Sequence, residues 1–567
     1  MAAAQPSGGA GAAQASASSA RNFLAYRWQL ISLPIAGLVL VPLLVIFSGW
    51  LNPETETWRH LAETVLGELI VNTLVLLLGV GAGVLLLGVG LAWLTSMCRF
   101  PGRRFFDWAL MLPLALPAYV LAFVFIGLFD FSGPVQGTLR EWFGPRGYWF
   151  PEVRSTGGVI LVMVLVLYPY VYMLARTAFL TQGRGTLDAA RMLGLGPWGA
   201  FFRVALPMAR PAIAAGTALA LMETLADFGT VAVFNYDTFT TAIYKAWFGL
   251  FNLQAAAQLA SLLLLFVATT LLLERRARGR SRYAEGSRGG QPHRIHLTGW
   301  HAGLATGAAT LVFSAAFLLP MLQLLAWAWD IVRAELDARY LDLLLNTLML
   351  GISAAFVTVT GALLLAFARR YQRDALTGAA VNIATLGYAL PGSVLAVGIM
   401  LTLTGVDNFL QSVARGFGFD ASGPVLTGTI AALLLAYLVR FLAVAFGPVD
   451  STLGRIRDSL PEAARILGAT PREVLTRVFL PLLSPGILTA ILLVTVDVMK
   501  EMPATLLLRP FGWDTLAVRI YELTSEGEWE RAALPAITLV MAGLLPVLLL
   551  VIRSARSANV AGRAERT

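Results

Sequence analysis

Five ionisable residues sit in stretches that are otherwise apolar: Glu223 and Asp227 in the first half of the chain, and Asp497, Lys500 and Glu501 in the second. An ionised acid near the centre of a membrane span costs on the order of 3 kcal/mol, so four facing lipid would cost roughly 12 kcal/mol. These side chains are therefore expected to face a protein interior. A spacing of four sets Glu223 with Asp227, and Asp497 with Glu501, on one helical face each. Rising 1.5 Å per residue from Arg210, Glu223 stands about 20 Å and Asp227 about 25 Å along the helix, in the outer half of the span. Four carboxylates less one ammonium leave a formal charge of −3, which favours a cation. With Tyr236, Tyr244 and Tyr521 close by, the oxygen donors suit a hard metal ion, held transiently at Asp227 and Glu501. A second, compatible reading makes Lys500 and its neighbours an ion-pair network that ties helices together.

Other chemistries find little footing. Cys98 is alone, which excludes an intramolecular disulfide and a multi-cysteine metal site. His60, His293, His296 and His301 lack ligand-like spacing. Lys245 and Lys500 are the only lysines, and neither follows the glycine-rich turn of a phosphate-binding loop. No nucleophile–base pair, cofactor fingerprint or channel filter stands out.

The elements that must position the acids are membrane helices. Of 567 residues 57% are hydrophobic and 13% charged, with a mean hydropathy of +0.72, far too apolar for a soluble globular protein. Twelve apolar runs long enough to cross a bilayer are predicted near 29–49, 66–94, 108–130, 157–180, 212–234, 256–274, 303–329, 342–368, 378–404, 424–447, 486–508 and 533–553. The net charge of +9 is not a nucleic-acid signal, because it sorts by side of the membrane. With the N-terminus inside, about 29 Lys and Arg face the cytoplasm and about 11 face outward, which predicts both termini cytoplasmic. Residues 1–20, rich in Ala, Ser and Gly, read as a disordered leader.

A repeat runs through the chain at an offset of 274 residues: Asn72-Thr73 recurs as Asn346-Thr347, Leu116-Pro117 as Leu390-Pro391, Pro207 as Pro481, Pro211 as Pro485, Glu223 as Asp497 and Asp227 as Glu501. Each repeat holds six spans, so both enter the membrane the same way, with a pathway expected between them. The expected domains are the leader 1–20, a first repeat 21–274 with an inner loop 181–211, a basic cytoplasmic linker 275–300, a second repeat 301–555 with an inner loop 448–485, and a tail 556–567.

Those two inner loops share a pattern. The first reads Asp188-Ala189-Ala190, three residues, Gly194, nine residues, then Val204-Ala205-Leu206-Pro207; the second reads Glu462-Ala463-Ala464, three residues, Gly468, nine residues, then Val478-Phe479-Leu480-Pro481. Alanines favour helix, Gly194 and Gly468 supply a left-handed turn, and Thr470, Pro471 and Glu473 spell a capping box that starts a second helix over Arg472 to Phe479. This resembles the E-A-A loop of the binding-protein-dependent ABC importer permeases, with Asp188 in place of the first Glu and Val204 and Val478 in place of Ile. The resemblance implies an all-α fold of two tandem six-helix repeats in the bacterial cytoplasmic (inner) membrane. It also implies that both loops dock on separate nucleotide-binding ATPase subunits, a pair of copies, which carry the ATP and magnesium, while this chain binds no cofactor. An extracytoplasmic solute-binding protein would deliver cargo to the outer loops near 131–156 and 405–423.

Two further stretches narrow the resemblance. Ala226-Asp227-Phe228-Gly229-Thr230 with Asp237-Thr238-Phe239-Thr240-Thr241-Ala242-Ile243-Tyr244, and Lys500-Glu501-Met502-Pro503-Ala504-Thr505-Leu506-Leu507 with Trp513-Asp514-Thr515-Leu516-Ala517, are similar to the fused ferric-iron permeases. Permeases for thiamine, polyamines and phosphonates share the frame. A proton-driven secondary transporter of the major facilitator type is also six plus six, but it needs no paired E-A-A loop, and Arg99-Phe100-Pro101-Gly102-Arg103-Arg104 lacks that family's acidic signature residue.

Overall fold

The structure is a computed structural model that describes residues 28–51, 55–144, 147–181, 192, 194–278, 294–418 and 423–564. The leader 1–20, most of the linker and the triplet Asp188-Ala189-Ala190 lie outside these. Among the described residues, twelve helical segments are long and apolar enough to cross a membrane: Gln29–Ser48, Leu66–Met97, Ala118–Phe143, Thr156–Thr181, Trp198–Ala226, Leu253–Ala277, Gly299–Arg333, Ala338–Tyr371, Gly392–Gly416, Ile430–Gly454, Pro471–Lys500 and Trp529–Leu548. They match the twelve predicted runs in number and order.

Four of the predicted runs are not continuous helices. Run 108–130 breaks at Leu116-Pro117, where Leu116 is extended (φ −83°, ψ 123°) between a 3₁₀ turn, Leu112–Ala115, and the helix from Ala118. Run 378–404 breaks at the repeat position, Leu390-Pro391, between the turn Thr385–Ala389 and the helix from Gly392. Proline has no N–H to give, and its ring drives the preceding residue out of the helical region, so the same dipeptide interrupts both repeats. Run 212–234 breaks after Ala226, and run 486–508 after Lys500, each followed by a short helix, Gly229–Val233 or Pro503–Leu508.

Two compact units cut across the sequence repeats. The larger gathers Ile46–Met349, Leu390–Ile430 and Met499–Thr567. Here the second and fourth spans approach closely through glycine: a Cβ on Gly79 would meet Ile160 Cδ1 at 2.5 Å, and one on Gly88 would meet Val171 Cβ at 2.6 Å. The buried rings of Phe123, Tyr168, Tyr172, Phe179 and Phe228 fill its core. Tyr168 donates to the Leu110 carbonyl at 2.9 Å, and Arg176 grips Asp107 through two bonds of 2.7 and 2.6 Å.

The smaller unit holds the residues up to Val45, Leu350–Ala389 and Ala431–Val498. Trp28 stacks on Phe367 and Tyr371 at 6.4 and 5.8 Å, and Arg370 donates to the carbonyls of Leu453 and Ile456 at 2.7 and 2.8 Å. Arg370 also bonds Asp458 and lies 5.5 Å from the Phe479 ring centre, so one guanidinium fastens both ends of the second inner loop.

Candidate functional site

The second inner loop folds as its residues dictate. Helix Ser459–Ile466 ends on Gly468 at φ +89°, a conformation that only glycine adopts freely. The Gly468 N–H donates to Arg465 O and the Ala469 N–H to Ala464 O, both at 3.0 Å, which is the bond pair of a Schellman stop. Thr470 and Glu473 then form the capping box, with Pro471 at the first helical position. Glu462, Ala463, Gly468, Leu480 and Pro481 are exposed and Ala464 half-buried, beside Ile466 and Leu467, each 86% exposed. Two bare aliphatic side chains leading into a fixed turn make a surface suited to a protein partner.

The first loop repeats this where it is described. Gly194, the counterpart of Gly468, has φ +82°, and Met192, Trp198 and Phe202 project into solvent. In both repeats a wider π turn, Phe201–Ala205 or Val474–Phe479, runs directly into Leu206-Pro207 or Leu480-Pro481. A proline ring clashes with the carbonyl four residues back, and the extra residue in the turn moves that carbonyl aside. The second helix of each loop is therefore not the separate short helix expected, but the start of the following span.

The intramembrane acids divide differently from the expectation. Glu223 stays on helix Leu206–Ala226, and Asp497 and Lys500 on Leu480–Lys500, but Asp227 and Glu501 fall at the breaks and leave the shared helical face. Asp227 is extended (φ −68°, ψ 130°). Its carboxylate accepts from Thr230 N and Thr230 Oγ1, both at 2.9 Å, and from Val231 N at 3.3 Å; Glu501 accepts from Ala504 N at 3.1 Å. Each acid thus caps the short helix after its own break, satisfying N–H groups that lipid could not. Pro503 explains why the second helix stops there; no proline marks the first break.

Three of the breaks lie in the larger unit and meet. Tyr119, just past Leu116-Pro117, donates to the Lys500 carbonyl at 3.4 Å, and the Lys500 ammonium donates to the Leu114 carbonyl at 3.3 Å. A Cβ on Gly229 would meet Met502 Cε at 2.6 Å and Tyr119 Cβ at 2.7 Å, so glycine there is a condition of the contact. Discontinuous helices meeting this way, with freed backbone carbonyls taken by side chains, are typical of binding sites inside a bilayer.

Beside this junction lies a cavity of about 190 Å³ lined by Phe228, Asn235, Tyr236, Asp237, Tyr244, Lys245 and Tyr521, among others. It brings together the three tyrosines singled out above. Phe228 packs between Tyr244 and Tyr521 at 5.2 and 5.4 Å, and Lys245 pairs with Asp237 at 2.6 Å. The sequence reading assigned no role to Asn72 and Asn346. Asn72 donates to the Asp237 carbonyl at 3.0 Å and Asn346 to the Asp514 carbonyl at 3.3 Å, anchoring the loops that follow the two short helices alike. These bonds show the register slipping from 274 to 277 within that loop, which makes Tyr244 and Tyr521 counterparts. The signal was present in Asp-Thr at 237–238 and 514–515 and Ile-Tyr at 243–244 and 520–521.

Comparison with known proteins gives a family match in both repeats. The model of the binding-protein-dependent transport system inner membrane component matches residues 84–278 and 347–560. An Fe(3+)-transport system permease protein of Haemophilus influenzae is 28% identical over 92% of this chain and 96% of its own length. A molybdenum transport system permease protein of Escherichia coli is 31% identical over 30% of this chain and 71% of its own, and a sulfate transport system permease protein of the same species is 28% identical over 36% and 70%.

Proposed function

We propose, from the premise that this chain belongs to the family of binding-protein-dependent transport system inner membrane components, that it is the permease of an ATP-driven ferric-iron importer. Membership makes it a multi-pass membrane protein and an importer permease; the cargo is the further step. The observation that carries ferric iron is the relative matched end to end, through both repeats, by an Fe(3+)-transport permease, whereas the molybdenum and sulfate relatives match only about a third of the chain. Chemistry agrees with it: the junction of broken spans and its cavity offer carboxylate, phenol and carbonyl oxygen, the donors a hard trivalent cation prefers, and the cavity's Lys245 is paired with Asp237.

In the working cycle, the exposed turns at Gly194 and Gly468 seat in two copies of a separate ATPase, which supplies ATP and magnesium, and both termini lie in the cytoplasm. A solute-binding protein docks on the outer face and releases cargo toward Phe228, Tyr244 and Tyr521, whose rings close the outer mouth. Asp227 and Glu501 sit immediately below, where separation of the half-helices would free their carboxylates for transient contact with the ion. ATP hydrolysis belongs to the partner and no catalytic step to this chain. Uptake of radiolabelled ferric iron, thiamine, putrescine, molybdate and sulfate in a strain lacking this chain tests the assignment. Loss of ferric uptake alone is expected; normal ferric uptake with loss of another cargo would overturn it.

A further inference from the structure

The second span ends in a short strand, β1 (Cys98–Arg99), that pairs in parallel with β2 (Ile295–His296), the segment leading into the seventh span. This ladder gathers positive charge from distant parts of the sequence. Arg99 Nη1 lies 3.3 Å from His296 Nε2; Arg294 Nε donates to the Ser96 carbonyl at 3.2 Å; Arg103 Nη1 donates to the Thr95 carbonyl at 3.1 Å. Asp107, the acid beside them, is taken by Arg176 through both oxygens. Among the described residues, no carboxylate lies within ion-pair distance of Arg99, Arg103 or Arg294.

Part of this arrangement is ordinary. Thr95 and Ser96 end a helix whose last carbonyls lack partners, and a guanidinium is a good donor to them. That uses one N–H of the five on each of Arg103 and Arg294, and it explains neither Arg99 nor His296, both exposed. The pKa of Arg294 is held below its ordinary value by partial burial and then by the charges of Arg103, Arg99 and Arg176, against the pull of Asp107. Like charges held this close need a counter-charge.

The position says which kind. The cluster stands at the end of a 32-residue apolar helix, at the height of the bilayer surface, on the side that the charge bias assigns to the cytoplasm. Phe105, 42% exposed, and Trp300, 69% exposed, flank it, with Leu304 and Leu311 bare further along the seventh span. Exposed aromatics beside a basic cluster, with bare aliphatics running down one helix, describe a headgroup level and an acyl-chain track. We propose that Arg99, Arg103, Arg294 and His296 bind the phosphate of an anionic phospholipid headgroup, so that the lipid staples the linker's end to the second span.

A soluble phosphate shares the chemistry, so the test separates the two. Purified, delipidated full-length chain is titrated with phosphatidylglycerol, phosphatidylcholine or inorganic phosphate, reading bound adducts by native mass spectrometry and the unfolding temperature. Phosphatidylglycerol is expected to bind and stabilise, and the double variant R99Q/R294Q to bind it about thirtyfold more weakly, as expected for losing two surface cations. R99K/R294K, which keeps the charge, should retain most of the affinity and guards against misfolding of the first variant. R140Q, at an arginine away from this cluster, should change nothing. Equal saturation by inorganic phosphate overturns the lipid assignment, and unchanged phosphatidylglycerol binding by R99Q/R294Q overturns the site.

Discussion

Asp227 holds three donors of its own short helix and Glu501 accepts from Ala504 N, so both acids are caps as well as candidate cargo contacts. Asparagine and glutamine can still accept hydrogen bonds without the charge. D227N combined with E501Q should therefore abolish ferric uptake in cells while leaving membrane insertion and assembly intact, and normal uptake would reduce the pair to caps. Cys98 offers an independent check on packing: burial pushes its thiol up to about 11, and little of it is accessible. Maleimide at pH 8 should leave the folded protein unlabelled and react fully on unfolding. Asp374 accepts from Thr377 N and Oγ1, both at 2.8 Å, and these bonds with that from Gln29 lower its pKa from the ordinary 3.8 to about 2. A depressed carboxyl stabilises the fold above its unfolded pKa and loses that contribution as pH falls through the folded one. The stability gap between wild type and D374N in detergent should hold at pH 5, shrink below about 4 and close near 2.

At the scale of elements, the inner loop depends on one backbone conformation. Nothing stands within 4 Å of a Cβ built on Gly468, so a side chain would fit, but φ +89° strains any other residue by about 1–2 kcal/mol. Gly468→Val should therefore shift the turn rather than unfold the protein, leaving ATP hydrolysis by the assembled complex and removing transport; unchanged transport would count against the docking role. Gly229 is the opposite case, a matter of space, since a methyl group there would press on Met502 and Tyr119. Gly229→Ala should impair uptake with expression unchanged, and full uptake would show that the junction tolerates separation.

At the scale of the molecule, a tagged chain should copurify with a nucleotide-binding subunit at two copies per permease, and one that never does would return the field to secondary transport. How much of this was legible in the sequence differs by feature. The turn at Gly468 and its capping box were, because cap chemistry is local and written in residue types. So were the spans, which need only length and apolarity. The breaks were so only in part: Pro117, Pro391 and Pro503 mark three of them, but an apolar run otherwise looks the same whether its hydrogen bonds continue or stop, and Asp227-Phe228-Gly229 carries no proline to give the fourth away. Nor was the division into compact units, because packing between sequence-distant spans leaves no trace in any one of them. The unbroken passage of each inner loop into its span has a mechanical meaning. From Pro471 to Lys500 the helix runs 30 residues, about 45 Å of rod at 1.5 Å per residue. Tipping this rod by about 10° about its Pro471 end would sweep the tip beside Glu501 through about 8 Å, so under the proposed function a modest stroke at the loop becomes a large displacement at the broken spans.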